Sequence, residues 1–333
     1  MNAAETAGAA LIPATAPPER RGIARDAVRL LVTDRSCGTH AHARFYELPS
    51  FLRAGDLLVV NDSATLPAAL TARRADGEHL TLHLSTKIDE RIWMVEPRAT
   101  VLCGEELRLP GGGSVVLIAP VDPAHPRVWY GWFQLPQAML AYLERYGEPI
   151  RYGYVTERFP LTDYQTLFAR EAGSSEMPSA ARPFTPRVVA ALEGTGVDIA
   201  TITLHCGVAS LEAPERPESE RFHVPAETAD AVNVARYEGR RVIAVGTTVL
   251  RALESAVERD QLVASAGWTD LVIDVNHRIR TADGLLTGFH DETATHLWIL
   301  QAFLSPELLD GAYAEAAERG YRFHEFGDVH LIV

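Results

Sequence analysis

The pattern of apolar and polar positions divides the chain into two kinds of stretch. From Asp26 to Asp62 it reads as strands around a loop, ending in the apolar run Leu57-Leu58-Val59-Val60 before Asn61-Asp62. Such a run, bounded by Gly55 and a polar pair, predicts a strand buried on both faces whose C-terminal end is open for a site. Short β-rich pieces follow around Leu80 to Leu84, Ile92 to Val95, Glu106 to Leu109, Ser114 to Ile118 and Val128 to Phe133. Their spacing of about ten residues, with Gly and Pro between them, predicts a small antiparallel barrel or sandwich. Gly111 to Gly113 reads as a hairpin turn, because no strand-to-helix context follows it.

After Pro136 the period lengthens. A helix is predicted from Gln137 to Tyr146, then, beyond a Pro/Tyr-rich segment, one capped by Thr185-Pro186 and reaching Leu192. Strand Ile199 to Leu204 runs into His205-Cys206-Gly207. Helix Ala226 to Tyr237 precedes strand Val242 to Val245, which leads through Gly246-Thr247-Thr248 into a helix carrying Arg251, Glu254 and Glu258. Strand Leu271 to Asp274, helices Thr295 to Leu304 and Pro306 to Glu318, and strand Val329 to Val333 complete the pattern. Strand and helix alternation argues for layered α/β architecture. The expected fold is an α/β main domain with an inserted small antiparallel β-barrel, α+β overall. Its expected parts are a loosely ordered Ala/Pro-rich arm over 1–25, the main domain over 26–64 plus 147–333, and the barrel over 65–146.

Composition narrows the chemistry. Lys87 is the only lysine, so the lysine of a phosphate-binding P-loop is missing and a Schiff-base enzyme would have to use that one residue. A net charge of -13 disfavours a general nucleic-acid binder, whose affinity comes from cations neutralising phosphates. Arg20, Arg21, Arg25 and Arg29 form a local basic patch, read as a solvated face. Cys37, Cys103 and Cys206 are far apart and form neither a disulfide framework nor a zinc ribbon. No signal peptide and no run of about 18 apolar residues is recognised, so a soluble cytoplasmic protein without membrane contact is expected.

Three local units could carry chemistry. The Gly246-Thr247-Thr248 turn at a helix start offers backbone N–H groups to a carboxylate or phosphate, although a threonine there could equally cap the helix. His205, just past an apolar strand, stands where open α/β sheets put their ligands and could act as a base, or could simply be bonded within a turn. His290 and His296 are six apart, which a helix would not present on one face, so no metal site is expected. The cluster Tyr321-Arg322-Phe323 and Phe326-Gly327-Asp328 reads as edge packing.

Further motifs fall in register with these. Gly55-Asp56-Leu57-Leu58-Val59-Val60-Asn61-Asp62, Tyr164-Gln165-Thr166-Leu167-Phe168-Ala169-Arg170-Glu171, Thr203-Leu204-His205, Val242 to Ser255, Gly267-Trp268-Thr269-Asp270-Leu271, Leu286-Thr287-Gly288-Phe289-His290 and Tyr321-Arg322-Phe323 with Gly327-Asp328 occur in one order. In that order they resemble the S-adenosylmethionine:tRNA ribosyltransferase-isomerase family of queuosine biosynthesis, from about Asp26 to Ile332. The resemblance implies an α/β domain interrupted by a β-barrel. It also implies transfer of the ribosyl part of S-adenosylmethionine to 7-aminomethyl-7-deazaguanine in tRNA, with isomerisation to epoxyqueuosine and release of adenine and methionine. S-adenosylmethionine is then a substrate, tRNA the partner, and no metal is called for, since the positive sulfur itself acidifies the adjacent C–H groups. On this reading His205 and His290 handle protons and Glu220 meets the substrate amine. Thr247 and Thr248 receive the methionine end and Phe184 or Phe289 lies against adenine, with Gly246, Arg251, Asn61, Asp62 and Gly207 completing the binding site.

The departures from the family pattern are specific. The family's Pro-Thr-Ala-Gly-Leu-His-Phe-Thr stands as Pro178-Ser179-Ala180-Ala181-Arg182-Pro183-Phe184-Thr185, without the histidine. The glycine-rich run after His205 reads Gly207-Val208-Ala209-Ser210-Leu211. The His-Met-His-x-Glu region reads Arg216-Pro217-Glu218-Ser219-Glu220, in which Glu220 is the match. Ala64 replaces an arginine, and Phe-His-Leu-Pro-Lys-Ser has become Phe289-His290-Asp291-Glu292-Thr293-Ala294. Either His223 or Arg182 takes over a lost role in the family reaction, or the chain is a paralogue using a small-molecule acceptor. The third alternative is a non-catalytic protein that binds S-adenosylmethionine or RNA. The acidity does not exclude tRNA, because a specific site needs only a local patch of arginines.

Overall fold

The computed structural model describes residues 10–208, 218–291 and 296–333. The apolar run at Leu57 forms the strand Leu57–Asn61, with every residue buried. It lies inside a nine-stranded sheet whose order is Ser265–Thr269, Glu220–Val224, Asp198–Leu204, Leu57–Asn61, Val242–Val245, Gly284–Gly288, Val329–Ile332, Arg29–Asp34 and Thr39–Arg44. From Asp198–Leu204 to Gly284–Gly288 the pairings are parallel. Strand alternation explains the uninterrupted apolar sequence, since both faces are covered. Leu57 and Val59 pack under the helices Ala226–Tyr237 and Thr247–Ser255, whereas Leu58 and Val60 meet Phe45, Leu48, Val188 and Leu192 on the other side.

The barrel is closed by six strands: Ala69–Arg73, His79–Lys87, Ile92–Pro97, Glu106–Arg108, Ser114–Pro120 and Trp129–Gln134. Its pairings are antiparallel, and Gly111 to Gly113 lies in the turn between two of its strands, as expected. Helix Met139–Tyr146 packs Tyr142 and Leu143 into the barrel core. The chain enters through Ser63–Thr65 and returns beside it as the parallel strand Glu171–Ser174. At this junction Gly147 leaves no room for a side chain, because a Cβ would stand 2.0 Å from the Pro67 carbonyl oxygen. No helix among the described residues is long and apolar enough to cross a membrane.

Several local expectations are corrected. Leu271 to Asp274 is not a strand; the edge strand is Ser265–Thr269, after which the Leu271 carbonyl is used by the Arg251 guanidinium at 3.0 Å. The helix after Gly246 stops at Ser255, and Val257–Glu258 turns back on Gln261–Leu262. Thr295 lies outside the described residues, and the helix beyond it is His296–Gln301. Residues 1–9 also lie outside them, but the rest of the expected loose arm is tied down. Ile12–Pro13 pairs in parallel with Arg322–Phe323, and Ala14 is fully buried. The four arginines remain at the surface, Arg20 with 54% of its side chain exposed, and each also has a partner. Arg20 pairs with Asp163, Arg21 bonds the Phe326 carbonyl, Arg25 pairs with Glu19, and Arg29 reaches the Arg319 carbonyl.

The helix Pro186–Gly194 shows how a local cap joins distant parts. Thr185 Oγ accepts from the Val188 N–H at 3.4 Å and donates to buried Asp26 at 2.7 Å. Replacing Thr185 by Ala is expected to cost about 1–2 kcal/mol and lower the melting temperature by a few degrees. A thermal unfolding curve superimposable on that of the unsubstituted protein would refute the cap's contribution.

Candidate functional site

A cavity of about 390 Å³ opens where the parallel strands Asp198–Leu204, Val242–Val245 and Gly284–Gly288 end, and the elements returning from the barrel close it. This is where open α/β sheets place ligands. One wall is the start of the helix Thr247–Ser255. Its N-cap residue, Gly246, has φ 107° and ψ 147°, and no side chain caps the helix. The threonines therefore do not satisfy the first-turn N–H groups, which are left available to a ligand anion beside the cavity-lining Thr247 and Thr248.

Behind that helix start Arg251 and Glu220 form a buried ion pair, and Glu220 also accepts the Gly207 N–H at 2.9 Å. Arg251 further donates to the carbonyls of Leu271 and Thr269. Both charged groups are thus committed to one another and to backbone, and they shape the wall as a unit.

The opposite wall is aromatic and acidic. His324 stacks on Tyr154 with centroids 4.1 Å apart, and Tyr154 on Tyr152 at 6.1 Å. The Tyr154 hydroxyl donates to Glu325 at 2.6 Å, and that of Tyr152 donates to Glu176. Burial raises both phenols, so they stay protonated donors at neutral pH. Burial also raises the Glu325 carboxyl, although the Tyr154 bond opposes it. On the barrel side Glu218 reaches the cavity with one long contact, 3.4 Å to Ser85 Oγ. Burial raises it to about 7, Arg127 opposing and Glu220 adding to the shift.

His290 and His296 also line the cavity, and their rings stack at 4.5 Å with only 4° between planes. The helical-spacing argument for keeping them apart fails, because His290 precedes the helix rather than lying on it. Burial depresses both, His296 to about 4, so they are neutral imidazoles at pH 7. His290 meets Thr287 Oγ at 3.1 Å. Among the described residues no group of three or more His, Cys, Asp or Glu side chains could hold a metal ion.

Of the residues singled out by sequence, Gly207, Glu220, Gly246, Thr247, Thr248, Arg251, Phe289 and His290 meet at this cavity. Phe289 lines it while its ring packs against His330, Tyr313 and Tyr321. Four do not reach it. His205 points to the other face from cavity-lining Cys206 and bonds Ser63 Oγ at 2.7 Å. Phe184 belongs to the core on the far side of the sheet, edge-on to Phe45 and Phe168. Asn61 bridges the backbone of Leu204 and Ser63, and Asp62 accepts from Thr203 at 2.7 Å. These last two hold strands in register. Nor do the suggested stand-ins arrive: Arg182 is locked on Glu19 at 3.0 Å and His223 is exposed. Ala209 to Pro217 and Glu292 to Ala294 lie outside the described residues. Sequence reasoning missed Tyr152, Tyr154, Glu218, His324 and Glu325.

Residues 9–332 match a protein family described as queuosine biosynthesis protein. The S-adenosylmethionine:tRNA ribosyltransferase-isomerase of Moorella thermoacetica is 39% identical, the match covering 93% of this chain and 94% of that protein. That of Thermus thermophilus is 36% identical over 95% of this chain and 97% of its own length. The crystal structure of S-adenosylmethionine tRNA ribosyltransferase from Thermotoga maritima superimposes with a TM-score of 0.56 at 30% identity, covering 98% of this chain and 99% of that one. Similarity at this level runs the length of both partners and includes the barrel as well as the sheet that bears the cavity. The chain belongs to the S-adenosylmethionine:tRNA ribosyltransferase-isomerase family of queuosine biosynthesis.

Proposed function

We propose that the protein transfers the ribosyl part of S-adenosylmethionine to the aminomethyl group of 7-aminomethyl-7-deazaguanine in tRNA and isomerises it to epoxyqueuosine, releasing adenine and methionine. The observation carrying this reading is the polarity of a single cavity, with an uncapped helix start at Gly246 on one side and buried carboxylates and phenols on the other. S-adenosylmethionine carries a carboxylate, which suits the N–H groups at Thr247 and Thr248. A planar adenine suits the neutral wall of His290, His296 and Phe289. The acceptor's amine is cationic at neutral pH and suits the acidic wall. The relatives' names supply the reaction class.

The test is incubation with S-adenosylmethionine and precursor tRNA, followed by mass spectrometry of the small molecules and of the digested RNA. Adenine and methionine released only when precursor tRNA is present, together with epoxyqueuosine in the digest, are the expected outcome. No release with tRNA refutes it, and release with a cell metabolite extract instead would redirect the assignment to a small acceptor.

A further inference from the structure

Resting on that functional reading, we infer that Glu218, rather than Glu220, is the base that takes the proton from the attacking amine of the acceptor. The carboxylates around the cavity are not equivalent. Glu220 already has its charge paired with the Arg251 guanidinium and accepts the Gly207 N–H on its other oxygen, so a proton taken up there would weaken the ion pair. Glu325 and Glu176 each accept a hydrogen bond from a phenol, Tyr154 and Tyr152 respectively. Glu218 has only the long Ser85 contact, lines the cavity, and belongs to the segment that runs into the strand Glu220–Val224.

Its surroundings also favour a bound cation. The charged groups acting on it are Glu220 beyond Ser219 and, from the barrel, Arg127 and Glu96. Arg127 is engaged by Glu96 at 2.9 Å, which in turn is bonded by His83 and Arg98; burial would raise Glu96, but these partners hold it at about 2. Glu96 therefore keeps its negative charge and engages both Arg98 and Arg127. Burial, with Glu220 and Glu96 adding and Arg127 opposing, raises half-buried Glu218 to about 7, so that near neutral pH it can both accept a proton and release one. In the step assigned to it, one N–H bond of the ammonium breaks and its electron pair stays on nitrogen, which becomes the nucleophile. The proton forms an O–H bond on Glu218, and no oxidant or further reactant is needed.

The test compares Glu218→Gln and Glu218→Asp with the unsubstituted protein, using adenine release from S-adenosylmethionine and precursor tRNA between pH 6 and 10. In the unsubstituted protein kcat should fall as pH drops through about 7, where Glu218 becomes protonated. Glu218→Gln should lose about 100-fold or more in kcat at pH 7, with S-adenosylmethionine binding and melting temperature unchanged. Its rate should climb about tenfold per pH unit towards the ionisation of a free alkylamine near 10, because solvent then supplies the neutral amine. Glu218→Asp should recover part of the rate at pH 7. A Gln variant within threefold of the parent, or a loss that high pH does not repair, overturns the assignment while leaving the proposed reaction intact. If the unsubstituted protein itself releases no adenine, the functional reading fails and this assignment fails with it.

Discussion

Gly246→Ala is expected to weaken S-adenosylmethionine binding at least tenfold while leaving the protein folded. The backbone at Gly246, φ 107° and ψ 147°, lies close to a region that residues with a side chain essentially do not enter. Space is not the obstacle, since a Cβ there would meet Ala180 and Thr248 only at 3.6 Å. The cost is backbone strain of about 1–3 kcal/mol, which the chain can relieve by rotating the peptides that enter the helix. That rotation turns the Thr247 and Thr248 N–H groups away from the cavity and disturbs the Gly246 N–H bond to Leu286, 2.8 Å long. Isothermal calorimetry reads the affinity and thermal unfolding reads the fold. Binding retained within threefold in a folded variant would remove this helix start from the ligand site.

Arg251→Ala is expected to produce the largest loss of stability, about 3–5 kcal/mol, because it strands the Glu220 carboxylate in a buried site. The two side chains are only 8% and 12% exposed, so solvent cannot readily replace the lost partner. The same guanidinium also anchors the segment after Thr269 through two carbonyls, and Leu271 to Ile273 form part of the cavity wall. A double variant, Arg251→Ala with Glu220→Gln, should recover a substantial part of the loss, since the remaining group is then no longer a buried unpaired charge. Denaturant titration of the four proteins in the cycle measures the coupling. Additive effects, with no recovery in the double variant, would count against the ion pair as the cause.

The scaffold was far more legible than the site. Leu57 to Val60 could be read as a doubly covered strand because its composition follows from burial on both faces. Ala226–Tyr237 and Pro306–Glu318 could be read from their helical period and their boundaries. Leu271 to Asp274 misled because an apolar segment lining a cavity has the same composition as a buried strand, and its Leu271 carbonyl is bonded by Arg251 instead of a neighbouring strand. Site residues failed where parity decided the outcome. His205 and Cys206 are adjacent, and nothing local says which of them faces the cavity. The missed groups lie in segments without a period, Tyr152 and Tyr154 in a stretch resembling a linker and His324 with Glu325 in one resembling an edge. Glu218 looked like part of a lost motif. Its importance depends on Ser85, Arg127 and Glu96, which sit on the barrel more than 90 positions earlier in the chain, and on what those neighbours leave unneutralised.

The strand Val329–Ile332 comes at the far end of the chain order but lies in the interior of the nine-stranded sheet, between Gly284–Gly288 and Arg29–Asp34. A nascent or truncated chain that stops short of it therefore lacks a central stave. Two long, apolar strand borders are exposed where a continuous surface should be, a form prone to edge-to-edge association. Closing the gap joins residues roughly 300 positions apart, which makes completion of the sheet a late and slow event in folding. Completion of the sheet thus waits on residues 329–332, which are made after the barrel and most of the cavity wall.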